Sequence, residues 1–178
     1  MEKVGVFVDY EEGLVSFYDV ESRSHIYSFT VDVTLNPDTA HPRLRVSDDG
    51  KHVTRGHLKQ ENLTDTPEMF TYDRCVVGKQ SFSSGRFYYE VQVRANNWWR
   101  LGVMRESVNR KREITWKPQY GVWIVAVLGN QYCAKADPDV RHTLREKVEK
   151  VGVFVDYEEG LVSFYDVKSR SHIYSFTD

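Results

Sequence analysis

Hydrophobic and polar residues alternate along much of the chain with the period of two that is typical of β-strands. Residues 87–93 and 99–103 each place an apolar side chain at every second position. Because successive side chains of a strand point to opposite faces, these segments predict strands with one buried face and one wet face. Residues 122–128 are apolar at nearly every position, which predicts a central strand covered on both faces.

Turn signals separate the predicted strands. Asp48-Asp49-Gly50 predicts a hairpin between 44–46 and 52–53, and the acidic segment 156–160 predicts another between 151–155 and 161–167. We expect the carboxylates of the acidic turn to be solvated. Helical periodicity is confined to short pieces near 68–70 and 144–148. Short strands spaced by about ten residues predict an all-β, antiparallel two-sheet β-sandwich with little helix.

The two ends of the chain carry nearly the same sequence. Residues 2–30, the first copy, return as residues 149–177, the second copy, and Glu21 against Lys168 is the one difference between them. Solenoid repeats are contiguous and need several units to bury a core. A solenoid is therefore excluded.

Composition narrows the classes of partner. The 178 residues suit one domain, and 24 basic residues against 26 acidic ones leave no basic field for nucleic acid or an anionic membrane. No apolar run approaches the roughly 20 residues that span a bilayer, and the acidic opening segment does not suit a signal peptide. Cys75 and Cys133 belong to no cluster, so we expect buried, reduced thiols and a cytoplasmic protein.

Motifs for catalysis and for cofactors are not found in the sequence. It contains no nucleophile elbow, no His-Glu-x-x-His, no phosphate-binding glycine loop and no dinucleotide fingerprint. The histidines are scattered and suggest no metal site. We expect a chain without cofactor, metal or catalytic residues.

Four ordered blocks resemble a known family. They are Leu35-Asn36-Pro37 with the segment to Lys51, then Phe82 to Val93, then Trp99 to Val108, and finally Val153 to Glu158. Together they resemble a PRY-SPRY (B30.2) domain, most like the C-terminal module of fish tripartite-motif E3 ubiquitin ligases or of fish NOD-like receptors. The resemblance implies a concanavalin-like jelly-roll sandwich.

The resemblance also implies an organisation of the chain. Residues 31–80 correspond to the PRY segment, residues 81–178 to the SPRY segment, and residues 1–30 duplicate late SPRY strands. The family's usual last strand has no counterpart after Phe176. We therefore expect the first copy either to fill that gap or to swap into a second chain and form a homodimer, with a spare arm left by an accidental duplication as the alternative.

In the resembled family, variable loops contact a protein partner, and three stretches correspond to them: 55–72, 106–120 and 129–147. An aromatic residue flanked by arginine and lysine, as in the second stretch, has the composition of an interface hot spot. An ordinary solvated loop with a half-buried Trp116 is the alternative.

Trp99 and Trp123 are expected in the core, and Ala126 and Leu128 stand where some relatives carry pocket tryptophans. The candidate partner-binding residues are Trp98, Arg110, Arg112, Trp116, Lys117, Gln131, Tyr132, Asp137, Asp139 and Arg141.

The function implied is protein recognition, as the targeting module of an innate-immune ubiquitin ligase whose RING domain would lie elsewhere. The alternative is a secreted venom or pore-forming toxin-type domain, for which the sequon Asn62-Leu63-Thr64 would matter. The identity of the protein ligand does not follow from the sequence.

Overall fold

The computed structural model describes residues 4–10, 14–17, 31–56, 64–94, 98–129, 131–143 and 147–177, and these form thirteen strands in two antiparallel sheets. In chain order the strands are β1 (Val4–Tyr10), β2 (Leu14–Phe17), β3 (Leu44–Val46), β4 (His52–Arg55), β5 (Cys75–Phe82), β6 (Arg86–Arg94), β7 (Trp98–Arg105), β8 (Val122–Leu128), β9 (Gln131–Ala134), β10 (Val140–Thr143), β11 (Lys150–Asp156), β12 (Leu161–Asp166) and β13 (Ser171–Thr177). The predicted all-β sandwich is confirmed.

Sheet A has the strand order β10-β9-β8-β7-β1-β5, and sheet B has the order β13-β12-β11-β6-β2-β4-β3. The main core lies between the sheets and contains the apolar side chains of the strands that alternation predicted. Phe87, Tyr89 and Val91 enter it from sheet B, while Trp99 and Leu101 enter it from sheet A, all with at most 4% of their surface exposed. Trp99 and Trp123 are both core residues, as predicted.

A second, smaller core lies on the outer face of sheet A. Met104, Val122 and Ile124 project away from the main core and are covered by Phe70 and Ile114 from the loops before β5 and after β7. This explains why 122–128 is apolar on both faces, since the strand is buried on both sides. The loop 106–120 is thus packed on the sheet along part of its length.

The two copies of the duplicated segment occupy different positions. In the second copy, β11 and β12 form a hairpin whose turn ends at Gly160 with φ of 60°, and β13 follows at the edge of sheet B. In the first copy, β1 lies in sheet A between β5 and β7, whereas β2 lies in sheet B between β6 and β4. The same sequence therefore forms a hairpin once and bridges the two sheets once.

The first copy joins the PRY strands to the SPRY strands. Among the described strands, β5 pairs with β1 alone, and β3 and β4 reach the rest of sheet B only through β2. Both strands of the first copy thus have a neighbour on each edge. The side chains of Val6, Phe7, Phe17 and Phe29, which a displaced copy would expose, lie outside the part of the chain whose side chains are described.

Local details agree with some turn predictions and correct others. The hairpin of β3 and β4 forms with Gly50 at φ 68°. The acidic turn is not fully solvated, because Asp156 is buried and accepts a hydrogen bond from Arg86 Nε at 2.6 Å. Residues 67–69 form a turn and a bend instead of a helix, and short 3₁₀ helices that the sequence did not predict occur at Pro37–Thr39 and Pro118–Tyr120. The piece predicted near 144–148 lies partly outside the described residues.

Candidate functional site

One end of the outer face of sheet A forms an open surface that includes Trp98. Cross-strand register places Trp98, Leu128, Gln131 and Thr143 in one row across β7, β8, β9 and β10. These residues share the outer face because paired residues of neighbouring strands project to the same side. Trp98 is 49% exposed, whereas Trp99, one position later, is in the core. We call this row, together with Arg141 in the next row, the Trp98 surface.

The next row connects the Trp98 surface to the loop 106–120. Arg100 and Ala126 are paired, and Ala126 in turn faces Cys133, which faces Arg141. The Arg100 guanidinium lies 4.9 Å from the centroid of the Trp116 ring, a cation–π contact. Trp116 is half-buried against the second core. The stacked pair therefore forms the border between the open surface and the packed loop.

Lys117 and Asp139 form an ion cluster that fastens the loop 106–120 to the turn between β9 and β10. Lys117 Nζ donates to Asp139 Oδ1 at 2.8 Å and also to the Ala136 carbonyl, while Lys135 Nζ donates to Asp139 Oδ2 at 2.7 Å. Burial alone would raise the pKa of Asp139, but the hydrogen bonds from Lys117 and Lys135 outweigh it and lower the pKa to about 2. The hydrogen bond to Asp139 also raises the pKa of Lys117. Both groups stay charged near neutral pH and are held in fixed positions.

Arg110 connects the loop 106–120 to the loop before β5. Its guanidinium lies 5.3 Å from the centroid of the Phe70 ring, and Nη1 donates to the Glu68 carbonyl at 2.9 Å. Burial lowers the pKa of Arg110, and the nearby carboxylates of Glu106 and Glu68 oppose that shift. Arg110 therefore links the loops on either side of the second core.

Tyr132 lies in the main core, which corrects its prediction as a partner-binding residue. Its ring is 7% exposed and packs edge-on against Trp99 with 6.2 Å between ring centroids. Burial raises the pKa of its hydroxyl well above the usual range, and no described residue hydrogen-bonds to that hydroxyl. The physical reason is strand alternation, because Gln131 and Cys133 take the outer face and leave Tyr132 facing inward.

The predicted site residues thus divide by position. Trp98, Gln131 and Arg141 come together on the Trp98 surface, with Trp116 at its border. Arg112 and Asp137 are exposed elsewhere, and Asp137 accepts a 3.3 Å hydrogen bond from Gln119 Nε2. Lys117, Asp139 and Arg110 stabilise the loops. Sequence reasoning missed Arg100, whose alternation with Trp98 was a usable signal, and Thr143, which only strand pairing brings to this surface. Leu128, which stands where some relatives carry pocket tryptophans, lies on this surface as well.

Within the described ranges, no group of three or more His, Cys, Asp or Glu side chains is close enough to hold a metal ion, and Cys75 and Cys133 are both buried and unbridged. None of the helices in these ranges is long and apolar enough to cross a membrane. Asn62, the acceptor of the sequon, lies outside the described residues.

Comparison with protein families matches the SPRY domain over residues 1–38 and 86–178 and the SPRY-associated domain, PRY, over residues 33–82. The chain belongs to the SPRY family. The PRY-SPRY domain is a protein-recognition module, and the resemblance of the sequence blocks to this domain is confirmed. The SPRY match includes the first copy as well as the second.

Curated relatives include human butyrophilin subfamily 2 member A2, 48% identical over 81% of this chain and 27% of the relative. Human zinc finger protein RFP is 43% identical over 84% of this chain and 29% of the relative. The mouse E3 ubiquitin-protein ligase TRIM58 is 42% identical over 86% of this chain and 32% of the relative. The PRY-SPRY chain thus spans only about a quarter to a third of these relatives.

Two solved structures share the fold. The TRIM65 PSpry domain superposes with a TM-score of 0.72 at 19% identity, covering 90% of this chain and 88% of that one. A stonustoxin structure superposes with a TM-score of 0.69 at 22% identity, covering 84% of this chain and 25% of that one. At these identities the likeness concerns the sandwich alone.

Proposed function

We propose that this PRY-SPRY domain binds a protein partner through the Trp98 surface. The observation that carries the proposal is the exposure of Trp98. This residue is 49% exposed to solvent although it lies on a strand that pairs with β8, and not on a loop. A large aromatic ring on a rigid strand can bury much apolar area with little loss of side-chain entropy, and tryptophan and arginine are enriched among hot-spot residues.

The surroundings of Trp98 support the proposal. Gln131, Arg141 and Thr143 are exposed on the same face and provide polar groups around the ring. The ion cluster of Lys117, Asp139 and Lys135 holds the neighbouring loop in place, so the border of the surface is preorganised. Preorganisation reduces the entropic cost of binding.

The wider role is part of the same proposal. Relatives with this domain include a protein named as an E3 ubiquitin-protein ligase, and we propose that the domain targets a ligase of the tripartite-motif type in innate immunity. Ubiquitin transfer would then belong to another part of a longer protein. A cytoplasmic location fits Cys75 and Cys133, which are buried and unbridged.

The test compares quantitative affinity purification from immune-cell lysate for the unmodified chain, Trp98→Ala and Tyr120→Ala. Tyr120 is the matched control, because it is 61% exposed and lies beyond the opposite end of β8. We expect Trp98→Ala to deplete a specific partner at least tenfold while Tyr120→Ala retains it, with all three chains melting at similar temperatures. Equal recovery with both variants would contradict the assignment of the Trp98 surface.

A further inference from the structure

The duplication repeats one glycine in two environments. Gly152 in β11 and Gly5 in β1 are equivalent positions of the two copies. On the outer face of sheet B, the Tyr88 ring lies over Gly152, and a Cβ added there would come within 2.9 Å of Tyr88 Cε2 and Cζ. The Tyr88 hydroxyl donates to Glu90 Oε1 at 3.0 Å. Gly152 therefore makes room for an aromatic ring of the same chain.

Gly5 lacks such a cover among the described side chains. A Cβ added to Gly5 would have one neighbour within 4 Å, the Gln80 carbonyl oxygen at 3.9 Å. Gly5 lines a cavity of about 530 Å³ on the outer face of sheet A. A cavity of this size is within the range that holds small ligands or large side chains.

Strand register explains why no described side chain lies over Gly5 as Tyr88 lies over Gly152. In the second copy, Gly152 pairs with Glu90 and Phe154 pairs with Tyr88. In the first copy, Gly5 pairs with Met104 and Phe7 pairs with Gly102, so Gly102 holds the position that Tyr88 holds in sheet B. No side chain fits at Gly102, because an added Cβ would overlap the Trp123 carbonyl oxygen and approach Ile124 Cα to 2.9 Å.

The cavity walls suit a phenol better than a purely apolar group. Met104, Val77 and Val108 line the cavity with apolar groups, and its polar lining includes Glu106 and Glu68 together with Lys79, Arg110 and Lys111. The Tyr88 hydroxyl uses a carboxylate of the same kind in sheet B. The ring and hydroxyl of a tyrosine would both find partners there.

We propose that the cavity over Gly5 binds a tyrosine side chain of a partner protein, in the way that Tyr88 covers Gly152. This site goes beyond the proposed function, since it is a second contact on the same module. Trp98 and Met104 are six positions apart on β7, which places the cavity roughly 20 Å from the Trp98 ring. A partner that contacts both would lie along β7.

The experiment uses the full chain and N-acetyltyrosinamide as the probe, followed by two-dimensional amide NMR. We expect saturable shifts of the amides of Gly78, Ser81, Met104 and Glu106 at millimolar probe, and at least tenfold weaker binding of N-acetylleucinamide. Gly5→Val should weaken tyrosine binding at least tenfold without lowering the melting temperature, because an added Cβ has one described neighbour within 4 Å, the Gln80 carbonyl oxygen at 3.9 Å.

Ser81→Phe is a second variant that fills the cavity from an exposed position opposite Gly5 on β5, and it should have the same effect. Trp98→Ala is expected to bind the probe as the unmodified chain does, so failure of the Trp98 surface and failure of this site are separable. Absence of saturable shifts, shifts at other residues, equal binding of the leucine analogue, or unchanged binding in both filled variants would each overturn the proposal.

Discussion

The first and second copies of the duplicated segment have the same sequence at nearly every position, yet their strands pair differently. In the second copy, the acidic turn reverses the chain and β11 pairs with β12. In the first copy, β1 inserts between β5 and β7 while β2 inserts between β6 and β4. Alternation of apolar and polar residues sets the strand state in both, and the available neighbours decide the pairing.

The difference also separates the tasks of the two copies. The second copy widens sheet B beyond β6, whereas the first copy carries the strand pairing between the PRY part and the SPRY part. A segment that ends a sheet can be weakened locally, but a segment that lies between two parts couples them. Matched substitutions at equivalent positions can therefore show whether both copies contribute to the stability of the folded domain.

The largest effect is expected from proline in the middle of either copy. Val8 pairs with Val76 and Leu101, and the equivalent Val155 pairs with Phe87 and Val162. Proline removes a ladder hydrogen bond and leaves a buried partner unsatisfied. We expect Val8→Pro and Val155→Pro each to lower the free energy of unfolding by about 3 kcal/mol or more in urea titrations. A stable Val8→Pro chain would mean that the first copy is a spare arm.

A smaller loss of stability, different in the two copies, is expected when the equivalent aspartates Asp156 and Asp9 are replaced. Asp156 is buried beside Arg86 and also accepts a 3.2 Å hydrogen bond from the Glu159 amide, whereas Asp9 lies opposite Cys75 and Arg100. Asp156→Ala should cost about 2 kcal/mol, as expected for loss of charge-assisted hydrogen bonds, and Asp9→Ala should cost less. Thermal unfolding of the two variants side by side checks the order. A reversed order would indicate that the first copy occupies the place of the second.

A still smaller change of stability is expected when the equivalent glycines Gly152 and Gly5 are replaced by alanine, and its size should differ between the two positions. Gly152→Ala has to displace the Tyr88 ring and its hydrogen bond to Glu90, whereas the Cβ of Gly5→Ala would meet one described atom within 4 Å, the Gln80 carbonyl oxygen at 3.9 Å. We expect Gly152→Ala to destabilise by about 1 kcal/mol and Gly5→Ala to leave stability unchanged or slightly raised. Differential scanning calorimetry would resolve the two variants. Equal losses would contradict the distinct environments of the two strands.

The smallest effect is expected at the one position where the copies differ. Lys168 Nζ lies 3.4 Å from Glu149 Oε1, with both side chains more than half exposed. Lys168→Glu makes the copies identical and replaces an exposed ion pair with like charges, so it should cost no more than about 0.5 kcal/mol. Unfolding at low and high salt checks this, since screening should shrink the difference. A large loss of stability would contradict this prediction, because an exposed ion pair is expected to contribute little.

Sequence patterns predicted much of the fold because the signals are local. The alternation in β6 and β7, the apolar run in β8 and the glycines at residues 50 and 160 each report on a few consecutive residues. The division of the first copy between two sheets depends on β5 and β7, which are distant in sequence. The strands of the two copies have the same sequence, so no local pattern distinguishes them and this feature could not be predicted.

The candidate site was predicted in part for the same reason. Trp99 was predicted in the core and Trp98 among the partner-binding residues, and the structure buries Trp99 and leaves Trp98 49% exposed. The roles of Lys117 and Asp139 depend on a contact between a loop and a turn that are 22 residues apart in sequence. Both were predicted to contact a partner, and only the distance between them shows a fixed pair. Tyr132 was misassigned because its face is set by the pairing of β9 with β8.

The position of β1 between β5 and β7 can be tested with one introduced thiol. Asp9 lies directly opposite Cys75 in the antiparallel ladder, a separation within the range of a cross-strand disulfide. We expect oxidised Asp9→Cys to form a disulfide with Cys75 inside a monomer, seen by non-reducing electrophoresis and peptide mapping. A disulfide-linked dimer would instead show that the first copy swaps between chains. An introduced thiol that stays free and reactive with alkylating reagent in the folded chain would contradict the central claim that the first copy joins the PRY and SPRY strands.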